Sequence, residues 1–210
     1  MTLTIFGATG QVGQQLVKQA LVKGYQVRAF GRNVYDTDFL QHDDLELIQG
    51  ALFDAKDVRN AIKGSDAVLS AIGGAFDGTD KSRSLGIKNI IEQMEKEGVK
   101  RLIVVGGMGI LAAEDGSLLM DAKDYPEEYI PVGKEHLKAW EHLKNSSLDW
   151  TIVGAPDLVN ADATGSYQAI AERNPAASTN NINTGNLAMF MLNEIDKKQF
   201  LKQRVGIANT

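Results

Sequence analysis

Short apolar runs alternate with longer amphipathic ones along this chain, and that alternation sets the expected fold. Thr2-Leu3-Thr4-Ile5-Phe6 reads as a short buried strand. A helix follows from Gln11 to Lys23, where Val12, Leu16 and Ala20, with Val17 and Leu21, recur at helical spacing. Gly24 is placed to end it. Gln26 to Phe30 is expected as the second strand, Leu45 to Gln49 as the third, and Asp54 to Lys63 as a helix. Ala67 to Ala71 is the fourth strand, running into Ile72-Gly73-Gly74. The longest helix is expected from Asp80 to Glu97, with Leu85, Ile87, Ile90, Ile91 and Met94 inward and Gly98 closing it. Leu102 to Val105 and Trp150 to Val153 read as the fifth and sixth strands. Between them lie a structureless stretch from Gly106 to Val132 and a helix from Gly133 to Asn145. The tail offers a strand near Tyr167, a helix capped by Asn183 or Thr184, and a last strand near Val205. In that helix Leu187, Phe190, Met191 and Ile195 are expected to face inward.

Strands alternating with helices in this order build a mainly parallel sheet covered on both faces, a doubly wound α/β domain. Its most informative segment is Phe6-Gly7-Ala8-Thr9-Gly10-Gln11-Val12-Gly13, which sets three glycines three apart in the first strand-to-helix turn. Glycines let the backbone turn tightly and approach a pyrophosphate, whose charge meets the free N–H groups of a helix N-terminus. A glycine triplet alone carries little weight in a chain with 21 glycines; its place in the first turn is what makes it a dinucleotide signal. Ligands of doubly wound sheets bind at the carboxyl ends of the strands, where strand order reverses. Gly7, Thr9, Gly10, Gln11, Val12 and Gly13 are therefore expected under the pyrophosphate, with Ala71, Ile72 and Gly73 beside it. Residues 1–155 would be the nucleotide-binding core and 156–210 a smaller substrate-side region.

The residue after the second strand selects the nucleotide. An acid there would bind the adenosine ribose hydroxyls, and a base would pair with a 2′-phosphate. Phe30 is followed by Gly31-Arg32-Asn33, with no acid until Asp36, and Arg32 lies at the expected distance from Gly13. A guanidinium forks onto phosphate oxygens, so NADP(H) is expected over NAD(H), with Asn33 beside the site. Arg28 is a secondary candidate.

Composition narrows the alternatives. At 210 residues and 43% hydrophobic the chain makes one domain with a full core. A net charge of −5 with no Lys/Arg cluster argues against nucleic acid as a partner. With no cysteine there are no disulfides and no thiolate chemistry, and three scattered histidines give no metal site. No apolar run reaches membrane-spanning length, and a strand beginning at residue 2 leaves no room for a signal peptide. A soluble cytoplasmic protein, monomeric or weakly dimeric, is expected.

With Gly7-Ala8-Thr9-Gly10-Gln11-Val12-Gly13, Gly31-Arg32-Asn33 and Leu143-Lys144-Asn145-Ser146-Ser147-Leu148-Asp149-Trp150-Thr151-Ile152-Val153 in view, the chain resembles the atypical short-chain dehydrogenases of the NmrA-like, NAD(P)H-binding kind. Within them it looks most like the flavin reductase / biliverdin-IXβ reductase group, over nearly its whole length. The resemblance implies a Rossmann-like fold, NADPH binding and reduction of flavins or quinones. It matches Gly7, Thr9, Gly10, Gln11 and Gly13 to the phosphate loop and Arg32 to the 2′-phosphate arginine. Gly50-Ala51-Leu52 matches an adenine-contacting element in which Ala51 replaces the usual acid. The chain departs from the wider superfamily in lacking a serine after the fifth strand, where Gly106-Gly107-Met108 stands, and in lacking a Tyr-x-x-x-Lys pair. That pair normally exchanges a proton with the substrate oxygen, so an alcohol dehydrogenase or a sugar-nucleotide epimerase is disfavoured. His136 stands where many atypical members carry lysine and where the flavin-reductase group has histidine.

Hydride transfer to a flavin or quinone depends chiefly on holding the nicotinamide against the acceptor ring, with solvent supplying protons. Gly106, Gly107, Met108 and Pro156 are expected on the nicotinamide side, and Met108, Tyr125, Asp157 and Leu158 around the acceptor, with FMN or another flavin as a possible substrate. Met120 and Tyr129 would suit a flat apolar ring as well. Tyr129, near Lys134, is the candidate proton donor. His136 is the other catalytic candidate, although a helix histidine of this kind is more often solvent-facing or capped than a base. The function expected is an NADPH-dependent reductase of a small flat acceptor. The alternative is a dinucleotide-sensing regulator that binds a partner protein without turnover.

Overall fold

Phe6 stands in register with Phe30 on one side and Ser70 on the other, which sets the first strand inside a sheet. The computed structural model describes residues 1–176 and 180–210. Its main elements in order are β1 (Thr2–Phe6), α1 (Gln11–Val22), β2 (Gln26–Gly31), β3 (Leu45–Gln49), α2 (Ala55–Ile62), β4 (Ala67–Ser70), α3 (Ile87–Glu97) and β5 (Arg101–Gly107). Then come α4 (Ile130–Lys144), β6 (Asp149–Ala155), β7 (Asp157–Val159), β8 (Tyr167–Ala171), β9 (Asn181–Asn183), α5 (Thr184–Lys197) and β10 (Gln203–Asn209). Among the described residues an eight-stranded sheet runs β3-β2-β1-β4-β5-β6-β10-β8, and β7 pairs with β9 apart from it. Every pairing in the large sheet is parallel except that of β10 with β8. The fold is the Rossmann-like, doubly wound, mainly parallel α/β arrangement that the alternating pattern implies. The chain reverses direction across the sheet between β1 and β4, which opens a crevice at their carboxyl ends.

Strand alternation divides the core in two. Leu3 and Ile5 face the side on which α1 and α5 pack, with Leu16, Ala20, Leu187 and Met191. Phe6, Val68, Leu102 and Ile152 face the side of α2, α3 and α4, with Ile62, Ile90 and Leu143. Each fully buried aliphatic side chain contributes about 1.5–3 kcal/mol of transfer free energy, so these two layers hold the helices on the two faces of the sheet. Helix ends follow local chemistry. Asp54 caps α2 by accepting from the N–H groups of Lys56 and Asp57. Gly24 (φ +76°) and Gly98 (φ +71°) take the left-handed conformation after α1 and α3.

Several expectations need correction. The helix expected from Asp80 begins at Ile87, preceded by a π-helical turn over Ser82–Gly86. A π turn holds more residues than an α turn, so the helical phase slips across it. Leu85 consequently points outward, 48% exposed, while Ile87, Ile90, Ile91 and Met94 are buried as expected. The stretch from Gly106 to Val132 is ordered by short 3-10 turns at Met108–Ile110, Leu119–Asp121 and Glu127–Tyr129 and by a bridge between Ala112 and Leu118. The three-residue strands β7 and β9 had no readable period. After residue 155 the chain divides its duties: β10 extends the large sheet beside β6 and α5 packs on α1, while Pro156, Asp157, Leu158 and Asn180 reach the crevice.

Candidate functional site

The first strand-to-helix turn is tighter than any other residue type would permit. Gly7 has φ +73°, and a Cβ on it would stand 2.5 Å from the Ala71 carbonyl oxygen. On Gly13 a Cβ would lie 2.1 Å from the Gly7 carbonyl oxygen, so α1 closes directly onto the turn. Gly10 is less constrained, since its Cβ would meet only the Gly7 carbonyl, at 3.5 Å. Gly10 is the N-cap of α1; no side chain caps the helix there and its first turn holds no acid. The first N–H groups of α1 are thus left for an outside acceptor, with the positive end of the helix dipole behind them. This cradle fits the diphosphate of a dinucleotide.

A cleft of about 830 Å³ opens beside the turn, over the carboxyl ends of β4, β5 and β6. It brings together Gly10, Gln11 and Val12; Ala71, Ile72 and Gly73; and Gly106, Gly107, Met108 and Pro156. Tyr125, Tyr129, His136, Asp157 and Leu158 line its other end. Gly7, Thr9 and Gly13 form the turn behind this wall. Arg32, Asn33, Ala51 and Leu52 lie outside the cleft, following the ends of β2 and β3 at the same edge of the sheet. A Cβ on Gly31 would meet Thr9 Cγ2 at 3.2 Å, so the end of β2 abuts the glycine turn. Arg32 is exposed, its carbonyl accepting from Gln49 Nε2 at 2.8 Å. Among the described residues no hydrogen bond or ion pair engages its guanidinium, which leaves it available to an anion. Ala51 donates its N–H to Asp57 at 2.9 Å, and the Leu52 carbonyl accepts from Asn89 Nδ2 at 2.8 Å.

Arg28 does not belong to the site. Its Nε donates to Glu46 at 3.0 Å and its Nη1 to the Lys63 carbonyl at 2.5 Å, so its charge ties β2 to β3 and to the end of α2. A second cavity, about 410 Å³, runs along the outer side of α1 against Phe39 and Leu40 and shares only Gln11 with the cleft.

His136 corrects another expectation, because it is buried rather than solvent-facing. It lies on the inward side of α4 with Val132 and Ala139, and its ring packs against Gly107, which offers no side chain to block it. Burial, and then the positive charge of Arg83, push its pKa down to about 3, against a smaller opposing pull from Glu135. It is therefore a neutral imidazole at physiological pH, able to donate or accept a hydrogen bond but not to act as a base near neutrality. Burial also raises the pKa of Tyr125, helped by Tyr129 and Asp157, so that residue stays a phenol. Its hydroxyl sits 2.6 Å from where a Gly109 Cβ would be. Among the described residues no hydrogen bond joins Tyr129 to Lys134, so the pair does not reproduce a tyrosine–lysine proton relay.

Among the cleft residues that were not anticipated, Phe76 and Arg83 carry the most chemistry. Phe76 follows Gly73-Gly74-Ala75 in a stretch without period, and Arg83 falls in the π turn, where a regular helix would set its phase differently. The only available signal was the glycine pair, which marks a close backbone approach.

The comparisons with known proteins agree with this geometry. A family model described as NAD(P)H-binding matches residues 7–198. YwnB, an uncharacterized protein of Bacillus subtilis (strain 168), is 29% identical over 173 residues, covering 80% of this chain and 78% of the relative. A candidate exported protein from Burkholderia pseudomallei has a similar structure, with a TM-score of 0.84, 28% identity and 99% of each chain covered. So does SP1627, a candidate NADH-flavin reductase from Streptococcus pneumoniae TIGR4, with a TM-score of 0.86, 27% identity and 100% of each chain covered. No helix among the described residues is long and apolar enough to cross a membrane. With an uncapped glycine turn, a doubly wound sheet and a family match over almost its whole length, the chain belongs to the NAD(P)H-binding family.

Proposed function

We propose that the protein is an NADPH-dependent oxidoreductase that passes hydride to a small flat acceptor such as a flavin or a quinone. One observation carries this proposal: a single cleft runs from the uncapped N-terminus of α1 to a wall of Met108, Tyr125, Tyr129 and Leu158. Gly7, Thr9, Gly10, Gln11, Val12 and Gly13 hold the diphosphate through backbone N–H groups. Arg32, with Asn33, takes the 2′-phosphate, and the Ala51–Leu52 backbone borders the adenine. Ala71, Ile72, Gly73, Gly106, Gly107, Met108 and Pro156 surround the nicotinamide, whose chemistry is hydride donation. Met108, Tyr125, Asp157 and Leu158 enclose the acceptor, and the neutral His136 offers it a hydrogen bond. Protons come from solvent, which suits acceptors whose own electronics drive the reaction. The name of the similar Streptococcus protein, a candidate NADH-flavin reductase, supports the same acceptor class. We place the protein in the cytoplasm, as a monomer or weak dimer without a nucleic-acid partner.

The lack of a tyrosine–lysine pair also suits a dinucleotide sensor, and one assay separates the two. NADPH absorbance is followed with purified protein, with and without FMN or a simple quinone. Acceptor-dependent loss, faster with NADPH than with NADH, is expected. Tight NADPH binding without turnover for any acceptor would overturn the reductase in favour of the sensor.

A further inference from the structure

Resting on the acceptor assignment above, we propose that Phe76 and Tyr129 form an aromatic shelf at the mouth of the cleft, on which the flat ring of the acceptor lies, and that Arg83 is the positioning residue that sets Phe76 there. Phe76 is 61% exposed and Tyr129 37% exposed, yet both line the cleft. Their ring centroids are 6.4 Å apart and tilted by 57°. That lies within the range of direct aromatic contact, about 4.5–7 Å, so no third ring enters between them. Because the rings are tilted, they form two adjoining faces, and a planar ligand stacks on the exposed face of Phe76 with Tyr129 at its edge. The shelf comes from two separate segments, the β4–α3 connection and the turn leading into α4, so it forms only in the folded chain.

Phe76 is not a loose surface ring. Arg83, 7% exposed, donates from Nη1 to the Ala75 carbonyl and from Nη2 to the Gly74 carbonyl, each at 2.9 Å. Its Cζ lies 5.5 Å from the Phe76 ring centroid, within cation–π range of about 6 Å. One guanidinium therefore holds three consecutive residues. The loop can approach it this closely because residue 74 is glycine: a Cβ there would stand 2.6 Å from Asp80 Oδ2 and 3.1 Å from Arg83 Nη1. A lysine cannot span two carbonyls and stack on a ring at once, because an ammonium lacks the planar fork.

The test titrates riboflavin into the full chain with saturating NADP⁺, which cannot reduce it, and follows quenching of flavin fluorescence. Riboflavin has no phosphate, so its binding reports the ring. Losing the Phe76 ring by Phe76→Ala is expected to weaken binding about two- to twelvefold, while Phe76→Trp keeps it and NADPH affinity is unchanged in both. Arg83→Lys is expected to weaken riboflavin binding by a similar factor, and to add nothing in the Phe76→Ala background. A merely structural loosening would add its loss in both backgrounds and would overturn the positioning role. Riboflavin binding of Phe76→Ala equal to that of the unmodified protein would overturn the shelf alone. If the unmodified protein binds neither riboflavin nor menadione, the acceptor assignment fails and takes the shelf with it.

Discussion

The imidazole of His136 lies on the bare backbone of Gly107, so closely that a Cβ there would come within 2.9 Å of His136 Cδ2 and 3.3 Å of its Nε2. The ring occupies the space in which a side chain at residue 107 would stand. Gly107→Ala is therefore expected to lower stability by about 1–3 kcal/mol, the range for overpacking a full site. In the presence of His136→Ala the same substitution should cost much less. Urea unfolding of the two single variants and the double variant measures this coupling; simple additivity would show that the two residues do not share the space.

Burial gives His136 an acid signature. Folded, it ionises near 3, and unfolded, near 6.5. Between those values the unfolded chain binds the extra proton, so stability falls as pH falls, by at most about 1.4 kcal/mol per pH unit from this group. Above pH 6.5 the slope fades as the unfolded imidazole loses its proton. His136→Gln should flatten the dependence of the urea midpoint on pH between 6.5 and 4. It should lower the rate of turnover without changing the shape of its pH profile between 6 and 9. A profile that loses a limb in this variant would mean that His136 titrates during turnover.

The glycine turn separates two positions that look alike in sequence. Gly13→Ala would drive a Cβ to 2.1 Å from the Gly7 carbonyl oxygen, whereas Gly10→Ala places one at 3.5 Å from the same atom. Dinucleotide affinity, read by the fluorescence of bound NADPH, is expected to be abolished in the first and to change by about tenfold or less in the second. Equal losses would show that close packing of α1 on the turn is not what the third glycine provides.

Arg32 tests the choice of nucleotide. A hydrogen bond to a charged group contributes about 1.5–3 kcal/mol, so Arg32→Ala should weaken NADPH binding by about ten- to a hundredfold. NADH, which has no 2′-phosphate, should bind almost as before. Equal losses for both nucleotides would remove Arg32 from the 2′-phosphate site.

Much of this was legible in the sequence, for physical reasons that also mark where legibility stops. Leu3 and Ile5, or Ile87, Ile90 and Met94, repeat at the period of their element, so burial follows from spacing. The glycine turn was readable because Gly7 and Gly13 answer to local backbone geometry. Leu85 was misplaced because a π turn shifts the phase, and nothing in Ser82-Arg83-Ser84-Leu85-Gly86 announces one. Arg28, four residues before Arg32, stays a secondary phosphate candidate in sequence; packing shows that Glu46 and the end of α2 engage it. His136 was recognised as a candidate, but its neutrality depends on burial against the bare backbone of Gly107 and, less, on Arg83, both distant in sequence. Phe76 owes its place to two carbonyls and a cation, which no periodicity records.

The most direct test of the central claim is a single-turnover experiment with NADPH carrying deuterium at the transferred C4 position, mixed with excess protein and FMN. Reduction of the flavin should be far faster than without protein, and slower for the deuterated nucleotide than for the protiated one, as hydride transfer within the cleft requires. Flavin reduction no faster than in protein-free solution, despite saturating NADPH binding, would contradict it and leave a protein that holds the nucleotide without using it.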